Sequence, residues 1–366
     1  MRPPILAALL ATACGDTAAP GFSTGPAITS VSASTSGSST GADTTSTGPA
    51  DDSAGSSANT STSTTAGTLD VGTVMDFGPV QPPGCKGKVD LLFVISRIGT
   101  MVTEQEQLLA SFPGFIETIE QKLEGFDVHI MTANPDAYWP GWTCQNQPDG
   151  CENVENWPTC GPNAPDYDCE TFPDMVTPCD EQLGAGLIFN AGGYAANKLC
   201  KLHGGKRYIV SGEPDMPGAF ECIAKVGMSG DGPFLGDAMI AALSPKLNGP
   251  GGCNEGFLRD EALLVVVFIS DVTDQGKSYA KQQYEAIIAA KGDPNAVVML
   301  SVTPQPLGDN EPVPGCTYND GPPAFSDLFS RFSLTMYGDT CAPSYAPFFD
   351  AAVDKISEAC GSFVPQ

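Results

Sequence analysis

Two histidines, His129 and His203, are the only imidazoles in a chain of 366 residues. Acyl transfer needs a nucleophile, a base and an orienting group within reach of one another. His129 falls inside the apolar run Phe126–Thr132 (FDVHIMT), where a histidine is expected as a satisfied structural residue. His203 stands beside Lys201, Lys206 and Arg207, which read as a solvated basic turn. The stretch Gly227–Asp231 (GMSGD) ends in Asp where a nucleophile elbow ends in Gly, and no phosphate-cradling Walker loop is present. The expectation is therefore a protein that is not an enzyme. Its 13 cysteines include no Cys-x-x-Cys pair, so with two histidines they lack the ligand spacing of a zinc or iron–sulfur site. Setting Cys14 apart leaves Cys85, Cys144, Cys151, Cys160, Cys169, Cys179, Cys200, Cys222, Cys253, Cys316, Cys341 and Cys360. An even dozen reads as six disulfides formed in an oxidising compartment.

Acidic residues outnumber basic ones 43 to 17, for a formal charge of −26. Phosphate binding needs concentrated Lys and Arg, so nucleic acid is excluded as a partner. Asp166, Asp168 and Glu170 alternate in DYDCE as at the start of a calcium loop. That loop needs Gly at its sixth place and an acid at its twelfth; both places are threonines here, and a solvated acidic loop is expected. Tyr138, Trp139 and Trp142 (AYWPGW) offer either a stacking platform or a small core for a disulfide-pinned loop, and the core is the reading taken.

The elements that must position these residues begin after Pro83. Val89–Ser96 (VDLLFVIS), Phe126–Thr132, Leu263–Ser270 (LLVVVFIS) and Ala296–Thr303 (AVVMLSVT) are continuous apolar runs, as strands buried on both faces read. Segments of helical period lie between and after them: Val102–Leu123, Leu235–Leu247, Ser278–Ala290 and Ala346–Ala359. The alternation predicts an α/β fold, a doubly wound and mostly parallel, Rossmann-like sheet over 85–363. A disulfide-rich insertion at about 134–182 interrupts it. Cys85 precedes the first strand and Cys360 ends the last helix; termini of compact domains lie close together, so these two are expected to pair.

Residues 15–84 are nearly all Ser, Thr, Gly, Ala, Pro and Asp, with no Lys or Arg before Lys86. Such composition cannot offset its ordering entropy, and a disordered tether reaching about 45 Å is expected. Residues 1–14 combine one basic residue, a short apolar run and small residues before Cys14. This layout is that of an export signal. Its end resembles the lipobox of bacterial lipoproteins, which implies acylation of Cys14.

Val89–Met101 (VDLLFVISRIGTM) resembles the first strand and loop of von Willebrand factor A-type domains, a hydrophobic strand followed by Asp-x-Ser-x-Ser and an apolar residue. Leu263–Asp274 (LLVVVFISDVTD) is similar to the family's later strand and Asp-bearing loop, and Phe325–Cys360 to its closing helices. The resemblance implies an A-type fold whose ligand loops carry Ser96, Thr100, Ser229, Asp271 and Asp274. In the family such loops hold a divalent ion. Here Ser96 replaces the leading Asp, Ile98 the first Ser, and Met228 a threonine, with Ser229 or Asp231 as substitutes; Asp271 is the best-retained ligand. No cofactor is therefore expected, Mg²⁺ or Ca²⁺ being the ion a retained site would take. Lipobox, tether and cysteine-rich A-type domain together resemble surface lipoproteins of myxobacteria. The expected function is a lipid-anchored, extracytoplasmic binding or adhesion module of the outer membrane or cell surface, with a protein or glycan partner. A structural envelope protein with inert loops is the alternative, and an extracellular hydrolase the third reading.

Overall fold

The computed structural model describes residues 85, 87–122, 125–139, 175–192, 194–228, 230, 232–308, 316–318 and 321–362. These belong to the unit Thr73–Gln366. Cys14, the 15–84 segment, Cys144, Cys151, Cys160, Cys169, Trp142, Asp166, Asp168, Glu170, Ser229 and Asp231 lie outside the described residues.

Among the described residues a six-stranded, mostly parallel sheet is flanked by helices. β1 (Lys88–Ile95), β2 (Asp127–Ala133), β6 (Leu263–Ile269) and β7 (Val297–Thr303) form its centre. These match the four apolar runs to within a residue or two, because the runs are buried on both sides. Leu91, Phe93 and Ile95 of β1 pack with Leu108, Phe112 and Phe115 of α1 (Val102–Lys122) and with Phe349 and Val353 of α7 (Ala346–Ser362). Leu92 and Val94 point the other way, to Leu235 and Met239 of α3 (Leu235–Ala242) and Ile287 of α5 (Ala280–Lys291). A strand with no wet face has no polar alternation to show.

Several elements depart from the sequence expectation. The sheet order is β5-β2-β1-β6-β7-β8, where β5 (Ile209–Val210) is a two-residue antiparallel partner of β2 and β8 (Thr335–Asp339) extends β7. The region from Phe325 onward thus holds a strand between α6 (Ser326–Phe329) and α7, as well as helices. The single helix expected over Leu235–Leu247 is two, α3 and α4 (Pro245–Asn248), with Ser244 extended at ψ 146°. Pro245 removes an amide donor and disfavours helical geometry in the residue before it. Helix α2 (Met216–Ala224) was not expected; Asp215 caps it by accepting from Gly218 N at 3.0 Å. The remaining short strands, β3 (Phe189–Asn190) and β4 (Lys198–Leu199), pair only with each other.

Cys85 and Cys360 are bridged, joining the start of β1 to the end of α7. Cys179–Cys253, Cys200–Cys222 and Cys316–Cys341 are the other bridges among the described residues. The two ends of the insertion lie side by side: Asn134 N donates to Ala185 O at 2.8 Å and Gly184 N to Asn134 O at 2.9 Å.

One charge stands inside the apolar run of β1. Asp90 is fully buried, and Arg259 closes on it from the segment leading into β6. Arg259 donates from its backbone N and from Nε to the two Asp90 oxygens, each at 2.8 Å, and from Nη1 to Asp127 Oδ2 at 2.6 Å. Its remaining Nη2 reaches the carbonyls of Val89 and Asp127. Lys291 donates to the carbonyls of Arg259 and Asp260. His129, expected to be structural, donates from Nδ1 to Phe257 O at 2.8 Å, and burial holds its pKa below the usual imidazole value. Burial pushes the Asp90 carboxyl up from 3.8 to about 6, against the pull of Arg259.

Because the folded pKa of Asp90 exceeds the unfolded one, its contribution favours folding most below pH 3.8 and is lost as pH rises through about 6. Arg259→Met strands the carboxylate, and chemical denaturation at pH 7.5 should register a loss of about 3–5 kcal/mol. That loss should shrink as pH is lowered toward 4, and Asp90→Leu added to Arg259→Met should recover most of it. A loss that ignores pH would mean that packing, not the ion pair, is what Arg259 provides.

Candidate functional site

The chain leaves β1 toward β2 on one side and leaves β6 toward β7 on the other, so the loops after β1 and β6 diverge at the carboxyl end of the sheet. The first begins at Ser96, whose N–H continues the ladder by donating to Ile269 O at 2.9 Å. Ser96 is fully buried and its Oγ accepts from Ile98 N at 3.3 Å. Thr100 is exposed. The middle loop is pinned by Gln105 of α1, which donates from Nε2 to Gly227 O at 2.7 Å and accepts from Gly227 N at 3.0 Å. Met228 reaches over Gly99, an apolar contact where the family resemblance called for a hydroxyl.

Asp271 follows β6 and is 5% exposed. Its N–H donates to Met101 Sδ at 3.2 Å, while its Oδ1 is buried with no hydrogen-bond partner. Glu104, one turn along α1, also has a buried unpartnered oxygen, Oε2. Burial raises the Glu104 pKa, and the charge of Asp271 raises it further. Tyr345 lies within reach of both charges, its hydroxyl donating to Thr340 O at 3.2 Å. Burial first, then the charges of Glu104, Asp339 and Asp271, hold that phenol far above its usual range.

Asp274 does something else. Its Oδ1 accepts from Leu235 N at 2.8 Å and Gly276 N at 3.2 Å, and its Oδ2 from Gly236 N at 3.3 Å. It therefore serves the exposed amides at the start of α3, a capping role. Burial raises its pKa and those three amides oppose the rise. Of the five residues that the family resemblance nominated, Ser96, Thr100 and Asp271 come to the same end of the sheet, Asp274 is a helix cap, and Ser229 lies outside the described residues.

The described groups alone do not make a divalent-ion site. Such an ion wants six or more oxygens, commonly with several carboxylates. Ser96 Oγ is occupied by a backbone amide, Ile98 has no ligand atom, and Asp274 is committed to α3. Among the described residues no group of three or more His, Cys, Asp or Glu is arranged to hold a metal.

A cation is nonetheless present, supplied by the chain. Arg97, the residue after Ser96, is 1% exposed. It pairs with buried Asp136 and donates from Nη2 to Asn134 Oδ1 at 3.0 Å and to Tyr138 O at 2.5 Å. Asn134 Nδ2 donates onward to Asp180 O at 2.8 Å, and Asp180 pairs with Arg207 at 2.5 Å. The network thus ties the loop after β1 to both described ends of the insertion. Gly230 closes over it, donating to Arg97 O at 2.9 Å; a Cβ there would lie 2.6 Å from Asp136 Oδ2. Sequence reasoning missed Arg97 and Glu104. For Arg97 the available signal was an arginine two residues past a strand buried on both faces, too short a distance for its charge to escape to water.

Of the aromatic cluster, Trp139 packs inward. Trp139 is 6% exposed, donates from Nε1 to Phe189 O at 3.0 Å and rests on Phe189, Ala191, Met175 and Val176. Tyr138 is 37% exposed. His203 lies in an exposed 3₁₀ turn, His203–Gly205.

No family model matches the chain. No curated protein matches it either. Among solved structures it is similar to proximal thread matrix protein 1 from the mussel byssus, at 12% identity and a TM-score of 0.34 over 76% of this chain and 47% of that one. A second crystal form of that protein gives 7% identity and a TM-score of 0.33, over 77% and 49%. The chain spans about half the length of these structures.

Replacing Arg97 by Met should leave Asp136 buried and unpaired and loosen the base of the insertion. Hydrogen exchange read by mass spectrometry should speed up at 134–139 and 175–182, with β6 and β7 unchanged. In the parent chain EDTA should leave those same amides untouched; acceleration by chelation would show that a metal, and not Arg97, holds the loops.

Proposed function

We propose that the chain is an A-type, doubly wound binding module presenting the loops at the carboxyl end of its sheet, held to an envelope surface through acylated Cys14 and the 15–84 tether. In open α/β sheets ligands sit outside the strand ends where neighbouring connections diverge. The observation that carries this reading is Asp271: a nearly buried carboxylate with an unpartnered oxygen, placed at the divergence of β1 and β6. An unsatisfied buried charge is costly to keep and contributes nothing to packing. An interaction that completes it accounts for that cost. The export reading rests on the sequence of residues 1–14 and on the cysteine chemistry, in which every described cysteine is bridged. No helix among the described residues is long and apolar enough to cross a membrane.

The full chain should bind isolated cell envelopes saturably. Thr100→Arg, which adds bulk to the exposed loop after β1, should weaken that binding at least tenfold, while Lys122→Glu at the opposite end of α1 leaves it unchanged. Cys14→Ser should move the protein from the membrane fraction to the soluble one. Equal binding by the two charge variants would favour an inert envelope spacer over a binding module.

A further inference from the structure

Asp271 opens into a cleft of about 50 Å³ lined also by Val272, Thr273, Pro304, Thr317 and Tyr318. We propose that this cleft takes a primary ammonium group, the end of a lysine side chain on a protein partner, in direct contact with the Asp271 carboxylate. The proposal rests on the binding-module reading and names what the module grips.

The sign of the ligand follows from the carboxylate. Oδ1 is buried and unpartnered, the residue's own N–H is spent on Met101 Sδ, and Glu104 adds a second acid beside it. No Lys or Arg among the described residues forms an ion pair with either acid. The kind of cation follows from the oxygen count and the size. A single carboxylate falls short of what a hard divalent ion requires. A guanidinium, with its planar fork of five donors, outgrows a cleft of about 50 Å³. An ammonium is a compact point charge with three donors and accepts mixed partners. The cleft has room for roughly three or four water-sized groups, which suits an ammonium with a methylene or two. Thr273 and Thr317 on its walls bring further oxygens, and Tyr318 brings an aromatic ring of the kind that attracts cations.

A lipid headgroup such as phosphatidylethanolamine carries the same ammonium. It brings a phosphate with it, however, toward a chain of net charge −26. A lysine arrives without an attached anion, and the acidic surface draws basic proteins toward it. The polarity is the reverse of a metal-mediated site, where the bound ion would receive an acidic group from the partner.

The test uses the full chain labelled with ¹⁵N-threonine and the peptide acetyl-Gly-Lys-Gly-amide. The Thr273 amide should shift saturably with the lysine peptide and respond at least fivefold more weakly to peptides carrying norleucine or arginine instead. Asp271→Asn should weaken the response at least tenfold. Ala324 also lines the cleft, and Ala324→Trp, which fills it and keeps the carboxylate, should do the same, so a folding defect in the first variant leaves the second decisive. Phosphatidylethanolamine vesicles that displace the lysine peptide would overturn the protein source, and equal shifts with lysine and arginine peptides would overturn the ammonium. Mg²⁺ giving the Asp271-dependent shift in place of lysine would overturn the proposal altogether. If no probe moves Thr273 while Thr100→Arg still abolishes envelope binding, the cleft is wrong and the module reading survives; if lysine binds and envelope binding ignores Thr100, the module reading falls and takes with it the partner assigned here.

Discussion

A charge that cannot reach water must be answered inside the fold, and this constraint organises both ends of the central strand. β1 is buried on both faces, yet a carboxylate sits at its third position from one end and a guanidinium two residues past the other. Arg259 answers Asp90 with five hydrogen bonds shared among Asp90, Asp127 and strand carbonyls. Asp136, Asn134 and the Tyr138 carbonyl answer the Nη2 end of Arg97, while its Nε stays buried without a partner. Each pair draws in a segment from outside the sheet, the approach to β6 at one end and the base of the insertion at the other. Buried pairs of this kind add little to stability over apolar packing, but breaking one is expensive. Their effect is to exclude arrangements in which these segments sit elsewhere.

Set against that rule, Asp271 is the exception that gives the carboxyl end its character. Asp90, Asp136, Asp180 and Asp274 are all surrounded by donors. Asp271 lies as deep as they do and keeps one oxygen without a partner. The neighbouring polar groups sharpen the contrast, because Glu104 and Tyr345 respond to its charge without relieving it. Among the buried aspartates described, Asp271 is the one with an oxygen outside the hydrogen-bond network, and Glu104 beside it shares that condition.

The four central strands were legible in the sequence because burial on both faces turns a strand into an unbroken apolar word. Edge strands carry no such mark: Ile209–Val210 is too short, and Thr335–Asp339 (TMYGD) is half-buried and mixed. The break at Ser244 was written in Pro245, though helical period on either side conceals it. The Cys85–Cys360 bridge was readable from position alone. Arg97 was not, since its partners lie some forty residues downstream and only the folded register of β1 beside β2 brings them together. The role of Asp274 was hidden for a similar reason. It stands three residues from Asp271 in sequence, but one serves the cleft and the other the first amides of α3.

The bridge at Cys85 also decides how the domain bears load. Any pull arriving along the chain from before Cys85 divides there, one share passing into β1 and the other crossing the disulfide into α7. The share on β1 runs along the strand axis, against two parallel ladders of seven residue pairs each, so many hydrogen bonds are sheared at once and none is peeled singly. The share on α7 is spread over the aromatic packing of Phe349 against Phe115. The loops that would hold a partner stand at the far end of the same strand. Tension applied between Cys85 and those loops would therefore run along the central strand of the sheet.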